Sequence, residues 1–413
     1  MKRSHGDYEI PGFYLEPRTG RYFRVPASGS PLPRLFNGSR VEAGSSDFNT
    51  RRRRTVFEPT VPRFKSILNC LNSNQIGCIE SHNYEREVSS LRLENLHLAH
   101  QFIYPHCNKG LRIRFLKGGI KHLYGQWVSQ INGTFFYAFG DFTDLRYAPA
   151  RESQRYNITY LGPQIVVADM CEGFSHPLCL LYVGNDFNSG LGTARLTWRR
   201  EFSNDASEMS RHFYVNSAVW CCCSNKFSGT FALGVENGIY VHNYSTHLYT
   251  KQFKGQVLGV HFKKTGDIIY AGVNHGKLIT VDTRVRDPVY KTKLNDYALT
   301  EVALLDNENY MICGGLGNFL CQVDLRMQRK TVDYQGDFRN TLKNPFSFNE
   351  THNMLCSTGS DNVTRLWCLR GGRPLKCIPP PIPGEDCRSW LMNDTSKMSL
   401  YLASKNMVYI HEC

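Results

Sequence analysis

Apolar and polar positions alternate in short bursts along most of this chain, each burst closed by Gly, Asn, Asp or Pro. Period-two alternation between turn formers predicts strands rather than helices. From about residue 215 the bursts also repeat. Phe231 to Asn243, Tyr270 to Asp282, Ile312 to Asp324 and Cys356 to Cys368 each read as an apolar strand, a tight Gly/Asn/Asp turn and a second strand ending in the same register. Their ends are separated by 39, 42 and 44 residues, the length of a four-stranded propeller blade. Val257–Phe262, Leu299–Leu304 and Asn344–Phe348 precede three of the turns at the distance expected of an innermost blade strand.

Ser399–Ala403 and Asn406–Ile410 form one more predicted hairpin at the C-terminus. Residues 105–210 repeat less well, but Gly133–Phe139, Ile165–Ala168 and Leu178–Val183 read as strands and leave room for two further blades. About seven blades then fill residues 85–413, with the last sheet completed by a strand from the N-terminal side. Such closure leaves only short, protected sheet edges.

Ahead of the repeats the pattern changes. Phe13-Tyr14 and Tyr22-Phe23 flank Pro17-Arg18-Thr19-Gly20, a turn sequence, so residues 10–25 form a candidate miniature hairpin. Such a hairpin is too small to be stable alone. Residues 26–60 are rich in Ser, Gly, Pro and Arg, with too few apolar groups to offset ordering entropy. Phe64, Ile67, Leu68 and Leu71 follow at helical spacing behind Pro62, predicting a helix over Arg63–Leu71. Val88–Ala99 stays open between strand and helix. The predicted organisation is a basic extension over 1–60, a short helical segment over 61–84, and the propeller over 85–413.

Composition refines this picture. The chain has 413 residues, 12% aromatic and 41% hydrophobic, enough for one large β body. The net charge of +13 suggests nucleic acid until it is mapped: residues 1–66 hold 13 Lys/Arg against 6 Asp/Glu, so +7 sits there and +6 is spread over the rest. The field belongs mainly to a tail. Fifteen cysteines, an odd number, occur without a CxxC pair and after a polar start. This reads as reduced thiols, with Cys221-Cys222-Cys223 serving as apolar filler in a strand. No run of about 18 apolar residues exists to span a membrane.

The repeats end alike, in Val281-Asp282-Thr283-Arg284, Val323-Asp324-Leu325-Arg326 and Trp367-Cys368-Leu369-Arg370. These are partial copies of the Trp-Asp ending that names the WD repeat. Strand alternation points Asp282 and Arg284 the same way, and likewise Asp324 and Arg326. One reading is a local exposed ion pair of little consequence. The other is a set of guanidinium forks on one rim, suited to bidentate recognition of a partner.

These endings resemble the Trp-Asp-x-Arg box of WD-repeat substrate receptors of cullin-four RING ubiquitin ligases. In that family the arginines contact the ligase's adaptor propeller. Pro-Gly-Phe-Tyr-Leu-Glu-Pro-(x3)-Arg-Tyr-Phe-Arg at 11–24 is similar to the N-terminal motif of the fourth cullin-four-associated factor, as are 257–284, 311–326 and 358–383 to its successive repeats. The likeness is patchy between about 26 and 210, and Val281, Val323 and Cys368 depart from the box.

The resemblance implies an all-β WD-repeat propeller with a basic, partly disordered N-terminal extension. It implies a non-catalytic receptor that binds the adaptor propeller and cullin-four scaffold through Asp282, Arg284, Asp324, Arg326 and Arg370. A client protein would sit on another surface, and the helix near 63–71 would add an anchor. No cofactor or metal is expected: the histidines are scattered, with His242/His247 and His97/His100 lacking an evident third ligand. No Gly-x-Ser-x-Gly, phosphate loop or paired-carboxylate motif supports catalysis. The contrasting reading is a WD-repeat scaffold that binds RNA or chromatin through its basic tail. Arg51-Arg52-Arg53-Arg54 reads equally as an import signal, a nucleic-acid arm or a solvated linker run. The expected setting is the nucleus or cytoplasm, as a monomer within a complex. Residues 378–383, rich in proline, read as a rigid connector between blades.

Overall fold

The computed structural model describes residues 13–16, 21–24, 66–75, 81–103, 111–118, 123–129, 134–139, 156–160, 165–172, 180–186, 189–198, 209–243 and 249–413, less 286, 339, 342, 393–397 and 406. Met1–Thr55 and Val56–Cys413 are two separate compact units. In the first, β1 (Phe13–Glu16) and β2 (Arg21–Arg24) pair antiparallel with Phe13 opposite Arg24. That is the hairpin predicted for 10–25; its turn, the 26–60 linker and Arg51–Arg54 lie outside the described residues.

The second unit opens with two helices, α1 (Ile67–Gln75) and α2 (Ser81–Glu94), followed by β3 (His97–Ile103). The helix predicted over Arg63–Leu71 thus lies further along, at Ile67–Gln75. The ambiguous stretch Val88–Ala99 divides in two, helix to Glu94 and strand from His97. Helical structure therefore runs past the expected boundary at 84, and the first propeller strand starts at His97 rather than 85.

Seven four-stranded antiparallel sheets follow among the described residues. Blade 1 contains β4 (Leu111–Gly118), β5 (Leu123–Ser129), β6 (Thr134–Phe139) and β7 (Tyr156–Tyr160). Blade 2 contains β8 (Ile165–Glu172), β9 (Leu180–Asp186), β10 (Gly192–Trp198) and β11 (Met209–Val215). Blade 3 is β12 (Val219–Asn225), β13 (Thr230–Val235), β14 (Gly238–Asn243) and β15 (Tyr249–Gln252). Blade 4 is β16 (Val257–Phe262), β17 (Ile268–Val273), β18 (Lys277–Asp282) and β19 (Tyr290–Lys293).

Blade 5 is β20 (Leu299–Leu304), β21 (Tyr310–Gly315), β22 (Leu320–Asp324) and β23 (Arg329–Asp333). Blade 6 is β24 (Phe346–Asn349), β25 (Met354–Thr358), β26 (Thr364–Cys368) and β27 (Pro374–Ile378). Blade 7 is β28 (Cys387–Leu391), β29 (Ser399–Ser404) and β30 (Met407–Glu412), completed by β3, whose His97 pairs Glu412. The ring closes with an N-terminal strand, as the repeat count required. The four repeat ends read from the sequence, Asn243, Asp282, Asp324 and Cys368, are the last residues of the third strands of blades 3 to 6.

The core lies between neighbouring sheets rather than inside any one of them. Blades 3 and 4 interleave Ala232, Ile239 and Val241 with Val257, Val260 and Ile269. Blades 4 and 5 join Tyr270 and Leu278 to Leu299, Val302 and Met311. The close approach is set by glycine on the second strand. A Cβ on Gly234 would fall 2.3 Å from the Cys221 thiol and 2.8 Å from Val257, and one on Gly272 would meet Leu299 at about 3 Å. Cys221 and Cys222 are buried on β12, where small apolar side chains suit that spacing.

Along one face, the turns between first and second strands of blades 3 to 6 are each tied to the next blade. Asn225 donates to the carbonyls of Lys263 and Lys264 at 2.9 and 3.1 Å. The Lys264 amide donates to Glu308 at 2.7 Å, and its Nζ to the Asp306 carbonyl at 2.8 Å. The Asp306 amide donates to Glu350 at 2.5 Å, and Asn349 to the Met392 carbonyl at 3.0 Å. This belt runs from blade 3 to blade 7 and gives that face a fixed rim.

Candidate functional site: an arginine rim

The same face carries the strand ends singled out in the sequence. Asp282 ends β18 and is mostly covered, while Arg284, two residues on, is 68% exposed. The Arg284 amide and Nε both donate to Asp282 Oδ1, at 2.9 and 3.0 Å, and Nη2 donates to Oδ2 at 2.7 Å. Asp267, from the turn before β17, adds a second carboxylate 3.4 Å from Nη2. Arg284's hydrogen bonds hold the Asp282 carboxyl down at about 2. Arg284 itself is pushed up by the same contact. Both groups are ionised throughout the physiological range.

Blade 5 repeats this arrangement. The Arg326 amide and Nε donate to Asp324 Oδ1 at 2.9 and 3.3 Å, and Nη2 to Oδ2 at 2.9 Å. The Asp324 side chain is 5% exposed and Arg326 60%. Asp324 also accepts the Met327 amide at 3.2 Å, and its carboxyl is lowered chiefly by the Arg326 side chain. Tyr310 braces the guanidinium, its hydroxyl 3.3 Å from Nη2 and its ring centroid 5.6 Å from the guanidinium carbon.

Each aspartate therefore grips one edge of its arginine through Nε and Nη2. Among the described bonds, Nη1 of neither arginine takes part, so a planar donor edge remains for another acceptor. The fork sets the pose of each guanidinium, and a pose set in advance lowers the ordering cost of binding.

The third ending differs. Cys368 is fully buried where the other blades have aspartate, and burial pushes its thiol up. Arg370 is 60% exposed and pairs instead with Glu85 of α2, Nη1 to Oε1 at 2.8 Å. The structure thus brings Asp282 with Arg284 and Asp324 with Arg326, whereas the Arg370 side chain pairs with Glu85 of α2 and its amide donates to the Cys368 thiol.

Residues 167–390, more than half of the chain, match the DDB1- and CUL4-associated factor 4 beta-propeller domain family. This chain belongs to that family. It is 23% identical to human DDB1- and CUL4-associated factor 4 over 405 residues, covering 91% of this chain and 80% of that protein. It is 24% identical to human DDB1- and CUL4-associated factor 4-like protein 2 over 175 residues, 41% of this chain and 44% of that one. Among solved structures, a chain of the mitotic checkpoint complex superposes with a TM-score of 0.55 at 14% identity, over 77% of this chain and 95% of its own. The Cps50 (Swd1) β-propeller domain of Myceliophteria thermophila gives 0.53 at 10% identity, over 77% and 99%. These two likenesses show the propeller fold.

The strand-end arginines are the residues the sequence singled out, and the structure places Arg284 and Arg326 in the same pose. The sequence had not found the carboxylate of Glu85, because nothing in the local pattern says what a residue some 285 positions earlier touches. Nor had it found Lys343, in the loop before β24. Lys343 Nζ lies 2.7 Å from Asp169 on β8, 3.5 Å from Glu301 on β20 and 3.4 Å from the Leu258 carbonyl on β16. Only a position near the ring axis reaches first strands of blades 2, 4 and 5 together, so this lysine ties the centre of the ring.

His242 stacks on Phe231 at 5.0 Å and meets Phe213 edge-on at 4.6 Å, an aromatic packing role. Among the described residues no group of three or more His, Cys, Asp or Glu is placed to hold a metal ion. No helix there is long and apolar enough to cross a membrane.

Proposed function

We propose that this chain is a substrate-recognition subunit of a cullin-four RING ubiquitin ligase. It docks on the DDB1 adaptor propeller through the rim that carries Arg284 and Arg326, with α1 as an additional anchor. The observation that carries this reading is the repeated pose: two adjacent blades hold an exposed guanidinium in the same fork on a covered aspartate. Arg284 is 68% and Arg326 60% exposed, so the edge of each guanidinium not held by its aspartate is open to a partner. The family's name, pairing DDB1 with CUL4, supplies the partner of fitting kind. Chemistry belongs to other subunits. This one raises the effective concentration of a client protein beside the ubiquitin-charged enzyme, in the nucleus or cytoplasm.

The test is co-purification of DDB1 and CUL4 with the full chain and its Arg284→Ala, Arg326→Ala variants. Each single change removes a fixed multidentate donor and is expected to weaken adaptor binding roughly thirtyfold. The double change should nearly abolish it while leaving the melting temperature close to wild type. Arg→Lys is also impaired, because an ammonium cannot reproduce the planar fork. A folded double variant that still binds DDB1 at wild-type affinity overturns the reading. If RNA or DNA is captured instead, with affinity falling steeply as salt rises, the basic-tail scaffold replaces it.

A further inference from the structure

Helix α2 and blade 6 meet on the rim at the box that has Cys368 in place of aspartate. The helix face at Glu85, Ser89, Arg92 and Leu93 follows helical spacing, Leu96 follows just past the helix end, and each position has a counterpart beneath it. Glu85 Oε1 lies 2.8 Å from Arg370 Nη1, and its Oε2 accepts the Asn353 side-chain amide at 3.0 Å. Ser89, 1% exposed, sits over the Cys368 thiol, which also receives Asn353 at 3.3 Å. Arg92 reaches His352 at 3.5 Å. Leu93 and Leu96 pack with Met354, Cys368 and Leu375. At the helix end, Lys376 Nζ caps the carbonyls of Leu93 and Leu96 at 2.6 and 3.4 Å, a cation where the helix dipole favours one.

We propose that the third box is turned inward: Cys368 and Arg370 are the seat of helix α2, and Glu85 is the carboxylate that aspartate supplies in blades 4 and 5. A partner on this rim meets Arg284 and Arg326 directly, but meets the helix where it would otherwise meet Arg370. Arg370 is then a positioning residue. Cysteine at 368 follows from the same arrangement. An aspartate there would be buried under the helix and would face Glu85, two carboxylates competing for one guanidinium. The seat stands on contacts within this chain; only the statement about the partner rests on the ligase reading.

Amide hydrogen exchange on the full chain tests the seat. Glu85→Arg and Arg370→Glu each set like charges face to face, and each should raise exchange across Ser81–Glu94 roughly tenfold. The double reversal restores the pair and should return exchange to near the wild-type rate. Singles without effect, or a double that stays as exposed as the singles, overturn the clasp. Cys368→Asp should free α2 while β26 remains protected. Because that variant can also unfold blade 6, Glu85→Gln serves as the second probe and should loosen α2 with β26 unchanged.

Binding to purified DDB1 tests the footprint. The double reversal, with its helix seated, should bind DDB1 as wild type does. Weak binding by a seated double reversal would make Arg370 a direct contact and overturn the footprint. If wild type itself does not bind DDB1, the ligase reading falls, whereas the exchange result still decides the clasp.

Discussion

Blade 5 keeps the aspartate of its box and has Val323 in place of the tryptophan; blade 6 keeps Trp367 and has Cys368 in place of the aspartate. Each blade retains the half of the motif on which something packs. Trp367 is fully buried and donates from Nε1 to the Gln335 carbonyl at 3.1 Å. Tyr334 and Phe338 pack against it at 6.1 and 5.4 Å. These three partners belong to the 334–345 connection, which also delivers Lys343 to the ring centre. Val323 is buried too, but in a cluster with Leu294 of the shorter 294–298 connection. Conversely, Asp324 fixes an exposed arginine, a function that helix α2 takes over in blade 6 through Glu85. The two halves of the box are separable: one anchors a loop, the other sets a guanidinium.

The largest expected effect tests the first half. Trp367→Ala removes a buried ring and its hydrogen bond and should cost about 3–5 kcal/mol in urea denaturation. Val323→Ala should cost about 1–3 kcal/mol. Equal costs would mean that the tryptophan has no special role in holding the 334–345 connection.

A smaller effect tests the second half. Asp282→Asn and Asp324→Asn leave each arginine in place but release its fork, so DDB1 affinity should fall roughly threefold to tenfold, the cost of ordering one long side chain at docking. No loss in either variant would show that the aspartates do not preorganise the rim. The Asp282 carboxyl, held at about 2, lies below its unfolded value of about 3.9. Its contribution is full above that unfolded value and is lost only as pH falls from there towards the folded one. Adaptor binding should therefore show no titration from this group between about pH 8 and pH 5.

The smallest effect lies in the belt that carries the rim. Burial raises the Glu350 carboxyl, with the neighbouring Asp306 charge raising it further against its hydrogen bond to the Asp306 amide. A raised acid binds more protons folded than unfolded, so stability falls as pH rises through the window above about 4.3. Glu350→Gln keeps an acceptor for the Asp306 amide and removes that slope. At neutral pH it should be neutral or stabilising by about 0.5 kcal/mol. A clear loss would mean the charge itself is needed, with Lys264 the cation that uses it.

Much of the fold was legible because strand periodicity is local. The ends of β14, β18, β22 and β26 can be read directly from alternation and turn residues, and the count of blades follows from their spacing. The helices were less legible. Leu91, Leu93, Leu96 and Leu98 alternate as a strand would, yet residues 88–94 are helical: Ser89 and Leu93 are buried one turn apart, Leu93 in the core shared by blades 6 and 7. That contact outweighs local alternation, and no window of sequence contains it.

The candidate site divides along the same line. Asp282 with Arg284, and Asp324 with Arg326, were determined by sequence alone: residues two apart at a strand end share a side, and a carboxylate beside a guanidinium will pair with it. The partner of Arg370 was decided by tertiary structure. Its own strand offers a thiol, which cannot serve as a carboxylate acceptor, so the pairing depends on which distant segment the closed ring brings to that rim. Glu85 arrives there because β3 must complete blade 7 and, in doing so, draws the preceding helix across blade 6. Local chemistry sets an ion pair whose members are neighbours in the chain; chain closure sets one whose members are not.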